Sequence, residues 1–352
     1  ALITLVIVGF LYDFVIGNPP YQDESVGDNK GFAPPVYHKF LENAYQFGEV
    51  VEMIHPARFL FNAGSTPKQW NEQMLKDPHL KILYFEQDSS KLFKNTDIKG
   101  GVVITYHNKK KRYEEIGTFA TFEELNTILK KVKKTNFSSF SDIVITRTAY
   151  RLTDKMHSSH PEAIEQLSKG HLYDMSTNIF ERLPQIFFDK NPEDGFEYIQ
   201  ILGREKNKRV YKYVRRDYIN KVSNLDKYKI FLPKANGIGI LGEVLSTPIL
   251  CAPMIGATET FLSIGGFDNI DEAKAVLKYI KTKFVRALLG ILKTTQDITP
   301  EKWKYVPLQD FTSSSDINWS TSIGDIDKQL YKKYNLSDEE INFIETKVKE
   351  ME

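Results

Sequence analysis

Cysteine is nearly absent: Cys251 is the sole thiol in 352 residues. A disulfide within the chain is therefore excluded, and a reducing cytoplasm is the expected compartment. Net charge is close to nothing, +1 at pH 7, so the chain as a whole is no polycation drawn to nucleic acid. Long apolar runs are missing too. The most apolar stretch, residues 1–11, falls short of the roughly 20 residues that a membrane span needs. It also lacks the basic start and small-residue cleavage site of a signal peptide. A strand is expected there, and no membrane partner. Because the chain opens inside that apolar stretch and without methionine, it reads as a piece of a longer protein. No Gly-x-Ser-x-Gly, Walker loop or zinc ribbon occurs. His157 and His160 have neither a cysteine nor a helical glutamate beside them, so they read as a loop pair and no metal site is expected. No carboxylate cluster of a metal-dependent nuclease stands out.

What is present is the balance of a globular protein, 41 % apolar and 26 % charged, in a chain long enough for two domains. The charge is uneven. Residues 310–352 hold ten acidic against five basic side chains, a net of −5, which leaves +6 for residues 1–309. That split fits a body suited to a polyanion with an acidic, solvated tail. Along residues 1–115, strand signals at 12–17, 49–54, 80–85 and 101–106 interleave with helical spacing at 32–47 and 67–75. The rhythm predicts a parallel α/β sheet with a hairpin at one edge. A charged amphipathic helix at 123–134 suits a linker spanning residues 116–135. Residues 136–311 switch to short strands, turns and aromatics, an α+β pattern. After a polar break, residues 312–352 predict a helical tail with helices at 323–334 and 338–351, the second opened by the capping-box pattern of Ser337 and Glu340.

The sharpest motif is Asn18-Pro19-Pro20-Tyr21, directly after the strand at 12–17. Paired prolines fix φ and stiffen a loop. Asn18 offers a side-chain oxygen and Pro19 a carbonyl, two acceptors held in advance. Such a pair suits an aromatic exocyclic amine like that of adenine, whose lone pair is delocalised into the ring. Accepting both of its N–H bonds favours a pyramidal nitrogen with its lone pair aimed outward. Tyr21 adds a flat face for a base flipped out of a duplex. The bland alternative is a proline turn that merely ends a strand.

The string Val-Ile-Gly-Asn-Pro-Pro-Tyr resembles the catalytic motif of the gamma-type adenine-N6 DNA methyltransferases, type II restriction–modification methylases. The segments His55-Pro-Ala-Arg-Phe-Leu60 and Gly100-Gly-Val-Val-Ile-Thr-Tyr-His-Asn108 resemble that family's downstream strands. Parts of 234–239, 258–261, 279–289 and 303–311 resemble its recognition half. The resemblance implies part of a Rossmann-like methyltransferase sheet, an α+β DNA target-recognition domain and a helical C-terminal tail. Asn18, Pro19, Pro20 and Tyr21 would be catalytic, and Tyr106 would face Tyr21 across the flipped adenine. S-adenosyl-L-methionine would be the cofactor, its site largely outside this chain, because no room for the family's glycine-rich loop exists before Tyr12. The implied partners are double-stranded DNA and a preceding cofactor-binding part or a nuclease subunit; the implied location is the nucleoid-associated cytoplasm. The one internal match to a nucleotide loop, Gly237-Ile-Gly-Ile-Leu-Gly242, reads better as a turn than as a permuted cofactor loop, since Pro248 stops any helix after it.

Two basic clusters are candidates for DNA contact. The first is Lys109, Lys110 and Arg112. The second, within 204–221, offers Lys206, Lys208, Arg209, Lys212, Arg215 and Arg216, interleaved with tyrosines. A solvated strand face is the alternative for both. Three rival functions stay open at this level: methylation of cytosine N4 or a protein glutamine, a DNA-binding specificity module without activity, and an unrelated α/β protein.

Overall fold

The computed structural model describes residues 12–23, 33–61, 65–94, 96, 98, 100–237, 239–293 and 296–351. The strand expected at residues 1–11 lies outside them. The chain divides into two compact units, Ala1–Thr121 and Phe122–Glu352. None of the described helices is long and apolar enough to cross a membrane.

In the first unit the order is β1 (Tyr12–Gly17), α1 (Tyr37–Phe47), β2 (Gly48–Pro56), α2 (Lys68–Lys76), β3 (Leu80–Glu86) and β4 (Val102–Asn108). The sheet order is β1-β2-β4-β3. Only β1 and β2 run parallel; β4 is antiparallel to both its neighbours. The expected parallel sheet with an edge hairpin is thus a mixed sheet with one parallel pair, and β1 is its edge among the described residues.

Strand alternation decides what each face does. Val51, Met53 and His55 of β2 point into a core with Tyr37, Leu41, Phe59 and Trp70. Tyr37 stacks on His55, 5.4 Å between ring centroids, and meets Trp70 edge-on at 5.9 Å. The opposite face stays open at β1, where Tyr12, Phe14 and Ile16 are exposed.

The second unit holds α3 (Glu123–Lys134), β5 (Val144–Ile145), the one-turn helices α4 (Asp154–Ser159), α5 (Ala163–Gln166) and α6 (Ile179–Arg182), then β6 (Tyr198–Glu205), β7 (Lys208–Arg215), β8 (Tyr228–Pro233), β9 (Ile249–Cys251), β10 (Ile255–Ala257), β11 (Phe261–Phe267), α7 (Ile270–Lys281), α8 (Lys283–Leu292), α9 (Ile323–Lys333) and α10 (Asp338–Lys347). Two small sheets result, β10-β6-β7 and β5-β11-β8-β9. This is an α+β unit of irregular topology.

Two expectations change here. The helix α3 is built into this unit rather than spanning a gap. Leu125, Ile128, Leu129 and Val132 are buried on one side, and Lys131 Nζ donates to Glu340 Oε2 at 2.7 Å and to the Asn335 carbonyl at 2.9 Å. The acidic C-terminal stretch is not a free tail either, although most of its carboxylates stay exposed. Ile326, Leu330, Tyr331, Phe343 and Ile344 are buried, and Asp327 accepts the N–H groups of Lys283 and Phe284 at 2.9 and 2.8 Å, capping the start of α8 from outside its own chain segment. The capping box of Ser337 and Glu340 forms as its spacing predicts.

Candidate active site and nucleic-acid surface

Asn18 follows directly on the carboxyl end of β1, at the same end of the sheet as the segment after β2. The motif is held from both sides. Upstream, β1 is laddered to β2 through Gly17 opposite Met53. Downstream, Val36 N–H donates to the Tyr21 carbonyl at 3.2 Å and Asp23 N–H to the Pro34 carbonyl at 2.9 Å, with Gln22 bridged to Pro35. Pro19 is buried, while Asn18 and Pro20 are exposed. Among the described residues neither the Asn18 side chain nor the carbonyls of Asn18 and Pro19 are taken up by a hydrogen bond. Two acceptors therefore stand free on a loop anchored at both ends. Tyr21 is half-buried; its hydroxyl is enclosed with no partner among the described residues, and burial pushes its pKa up.

The rim beside the motif is built by close backbone approach. Ala57 N–H donates to the Gly101 carbonyl at 3.0 Å, and Gly101 sits at φ +81 with Glu86 and Gln87 backbone atoms where a Cβ would be. A side chain cannot fit, so glycine is required. Arg58, three residues beyond His55, lies at this same end. It is a basic residue at the rim that the motif-based reading passed over, although the strand-to-turn change at Pro56 marks its place.

Tyr106 lies mid-strand in β4, opposite Glu52, which is in turn opposite Ile16. Two inter-strand steps, roughly 10 Å, separate it laterally from β1. Lys81 Nζ sits 5.1 Å from the Tyr106 ring centroid, and Tyr106 makes no ring contact with Tyr21.

Lys109, Lys110 and Arg112 are farther away still. Because β4 is antiparallel to β2, they follow the end of β4 that lies beside Glu49, at the amino ends of β1 and β2. Six residues of β1 at roughly 3.3 Å each put about 20 Å between that end and Asn18. Lys109 Nζ donates to the Gln46 carbonyl at 2.9 Å and Lys110 pairs with Glu49 at 2.7 Å. Arg112 is exposed.

In the second unit, β6 and β7 form a hairpin whose register pairs Glu205 with Lys208, Arg204 with Arg209 and Ile201 with Lys212. The structure splits the basic cluster into two kinds of residue. Lys212 is buried against Asp189 at 2.6 Å and Glu205 at 3.2 Å, and the Asp189 carboxylate raises its pKa further. Arg215 forms a two-pronged pair with Asp217, at 3.0 and 2.6 Å, and lies between Phe196 and Tyr218 at 3.5 and 4.7 Å from the ring centroids. Arg216 donates to the Ile219 carbonyl at 2.9 Å. These three cations are engaged inside the unit. Lys206, Lys208 and Arg209 remain exposed at the hairpin tip, joined by Arg204.

The glycine loop at 237–242 is filled from within. Gly237 has φ +55, and a Cβ there would run into the Glu243 carboxylate. Glu243 accepts the Gly239 N–H at 3.1 Å and pairs with the buried Lys293, which also donates to the Asn236 carbonyl at 2.9 Å. A carboxylate occupies the place a phosphate or carboxylate ligand would need, so this loop does not fit a nucleotide-type cofactor. His157 and His160 also aim apart: His157 Nε2 meets the Leu172 carbonyl at 2.9 Å, and His160 meets Glu162 and Tyr218.

Residues 10–93 match the family described as Eco57I restriction-modification methylase. That span contains the Asn-Pro-Pro-Tyr loop, β1, β2 and β3, so this part of the chain is similar to restriction–modification methylases. Among solved structures, the type IIG restriction endonuclease BpuSI matches at 10 % identity and a TM-score of 0.35, over 95 % of this chain. The chain spans 52 % of that protein's length. None of the curated proteins matches significantly.

Proposed function

We propose that this protein is the catalytic-loop and DNA-reading portion of a restriction–modification methyltransferase that methylates adenine at N6. The single observation that carries the reading is the Asn18-Pro19 pair: two acceptors not engaged by any described residue, on a proline-stiffened loop at the carboxyl end of β1, inside the segment similar to restriction–modification methylases. Asn18 Oδ1 and the Pro19 carbonyl accept the two amine hydrogens of a flipped adenine and turn its nitrogen lone pair outward. Fixed acceptors need no reorganisation at the moment of reaction. Tyr21 stacks on the base. No strong general base is required if the proton leaves after transfer. S-adenosyl-L-methionine is the proposed methyl donor; the loop at 237–242 does not supply its cradle.

That filled loop favours a second reading, a DNA-binding specificity module with no activity of its own. Incubating the intact methyltransferase, with its S-adenosyl-L-methionine site included, with duplex DNA and labelled cofactor separates the two. Nucleoside analysis should find label in N6-methyladenine. Label in N4-methylcytosine would reassign the target base, and unlabelled DNA that is nevertheless bound would favour the specificity module.

A further inference from the structure

We infer that the tip of the β6–β7 hairpin is a two-stranded ribbon that enters the major groove of duplex DNA, with Arg204 and Arg209 as the base-reading pair. The inference rests on the proposal that this protein acts on DNA, and it says which residues select the sequence.

The shape is the first argument. Lys206 and Asn207 are both left-handed, with φ of +46 and +63. A two-residue turn of this hand keeps the right-handed twist of the flanking strands and closes them into a narrow ribbon. Lysine is a costlier choice than glycine in that conformation; what it contributes is a charge at the outermost point. Two strands lie about 4.8 Å apart, and a B-form major groove, about 12 Å wide, admits such a ribbon.

The charge distribution is the second argument. The two faces of the hairpin differ. On one face Glu205 lies opposite Lys208 and also pairs with Lys212, which is held by Asp189. That face is balanced. On the other, Arg204 and Arg209 are directly opposite one another, with no carboxylate partner among the described residues. Arg204 reaches only Asn207, at 3.3 and 3.4 Å, and Arg209 lies 5.8 Å from the Phe261 ring centroid. Like charges directly across a strand pair repel, and an anionic partner removes that repulsion. Tyr211, 40 % exposed, continues the same face one step down the ribbon. A free phosphate is better held in a concavity of converging donors; a hairpin tip with two exposed arginines at cross-strand positions suits an extended polyanion that also presents guanine O6 and N7 edges. Lys206 and Lys208 flank the arginines and would take phosphates.

The test uses the full chain in anisotropy titrations and in selection from a randomised duplex library. Wild-type protein should bind duplex DNA with a steep salt dependence and select a site containing guanine. Arg204→Gln/Arg209→Gln should lose the guanine preference and bind the selected site at least about tenfold more weakly. Arg204→Lys/Arg209→Lys should keep the salt slope but still lose the preference, because an ammonium cannot form the two-pronged contact. Lys206→Asn/Lys208→Gln, which preserves the left-handed turn, should weaken binding to every sequence and flatten the slope of log K against log salt by about one unit per lost phosphate contact. Unchanged thermal melting of each variant establishes that the hairpin is intact. If the arginine variants select the same site with wild-type affinity, the hairpin is not the reader although the DNA function stands. If wild-type protein binds no duplex, that function fails and this inference with it. Equal binding to duplex RNA, whose major groove is too deep and narrow for a ribbon, would also overturn it.

Discussion

The unit that carries Asn18 should lose stability in acid, and the buried His55 is one cause of it. His55 is fully buried between Tyr37 and Phe59. Its Nδ1 lies 3.2 Å from the Pro56 carbonyl and its Nε2 2.9 Å from Thr105 Oγ1. A carbonyl only accepts, so Nδ1 carries the proton and Nε2 accepts from the threonine hydroxyl. Protonating Nε2 would break that arrangement and strand a charge in an apolar core; desolvation accordingly holds the ring's pKa down at about 4. In the unfolded chain the value is about 6.5. The unfolded state therefore binds more protons between these two values, so stability rises with pH there and is lost as pH falls from about 6.5 to about 4. Full loss corresponds to about 2.5 pKa units, or about 3.4 kcal/mol at 1.36 kcal/mol per unit; at pH 5 about 2 kcal/mol is already gone. Trp70 belongs to this core and the other two tryptophans, Trp303 and Trp319, to the second unit. Urea titrations followed by fluorescence in a Trp303→Phe/Trp319→Phe background should then report the first unit. The slope of stability against pH from 7.5 to 5 should shrink by about 2 kcal/mol in His55→Gln relative to the parent. An equal slope in both proteins would refute the reasoning.

Asp327 should behave in the opposite sense: burial raises its pKa to about 6, so its contribution falls as pH rises from about 4 to about 6. Asp327→Asn should remove that component, and Asp327→Ala, leaving one buried and one part-buried N–H group of α8 without an acceptor, should cost about 1–3 kcal/mol in urea unfolding followed by Trp303 and Trp319. A loss below about 0.5 kcal/mol would show the α9–α8 clamp to be incidental. Gly237→Ala should destabilise the second unit by at least about 1 kcal/mol, since it combines a positive φ with a clash against Glu243; if calorimetry finds S-adenosyl-L-methionine binding that this substitution abolishes while the fold survives, the loop is a ligand site after all.

Much of the first unit was legible because its signals are local. The strand ending at Gly17 forms at its expected place, and the helix expected over 32–47 ends at Phe47 as expected but starts only at Tyr37; in the second unit the capping box at Ser337 depends in the same way on residues a few positions apart. The Asn18–Tyr21 loop was legible for the same reason. What the sequence hid was long-range. That Lys212 is engaged depends on Asp189, more than twenty positions away, and that residues 109–112 lie far from Asn18 depends on β4 inserting antiparallel between β2 and β3. The acidic excess after residue 309 pointed to a solvated tail because a charge count does not say which side chains are buried; Asp327 and Glu340 each hold a structural hydrogen bond that no local pattern reveals. Arg204 stayed outside the candidate set because only the hairpin register puts it opposite Arg209.

The central claim is that Asn18 orients the amine of a flipped adenine, and one substitution tests it most directly. Methyl transfer to duplex DNA is measured in the intact methyltransferase, with its S-adenosyl-L-methionine site included, for the wild type and for Asn18→Ala, alongside DNA affinity by anisotropy. Removing one of two preorganised acceptors should lower turnover by at least about a hundredfold, while affinity for DNA stays unchanged. Near-normal turnover by Asn18→Ala would mean that the asparagine only ends a strand, and it would contradict the account.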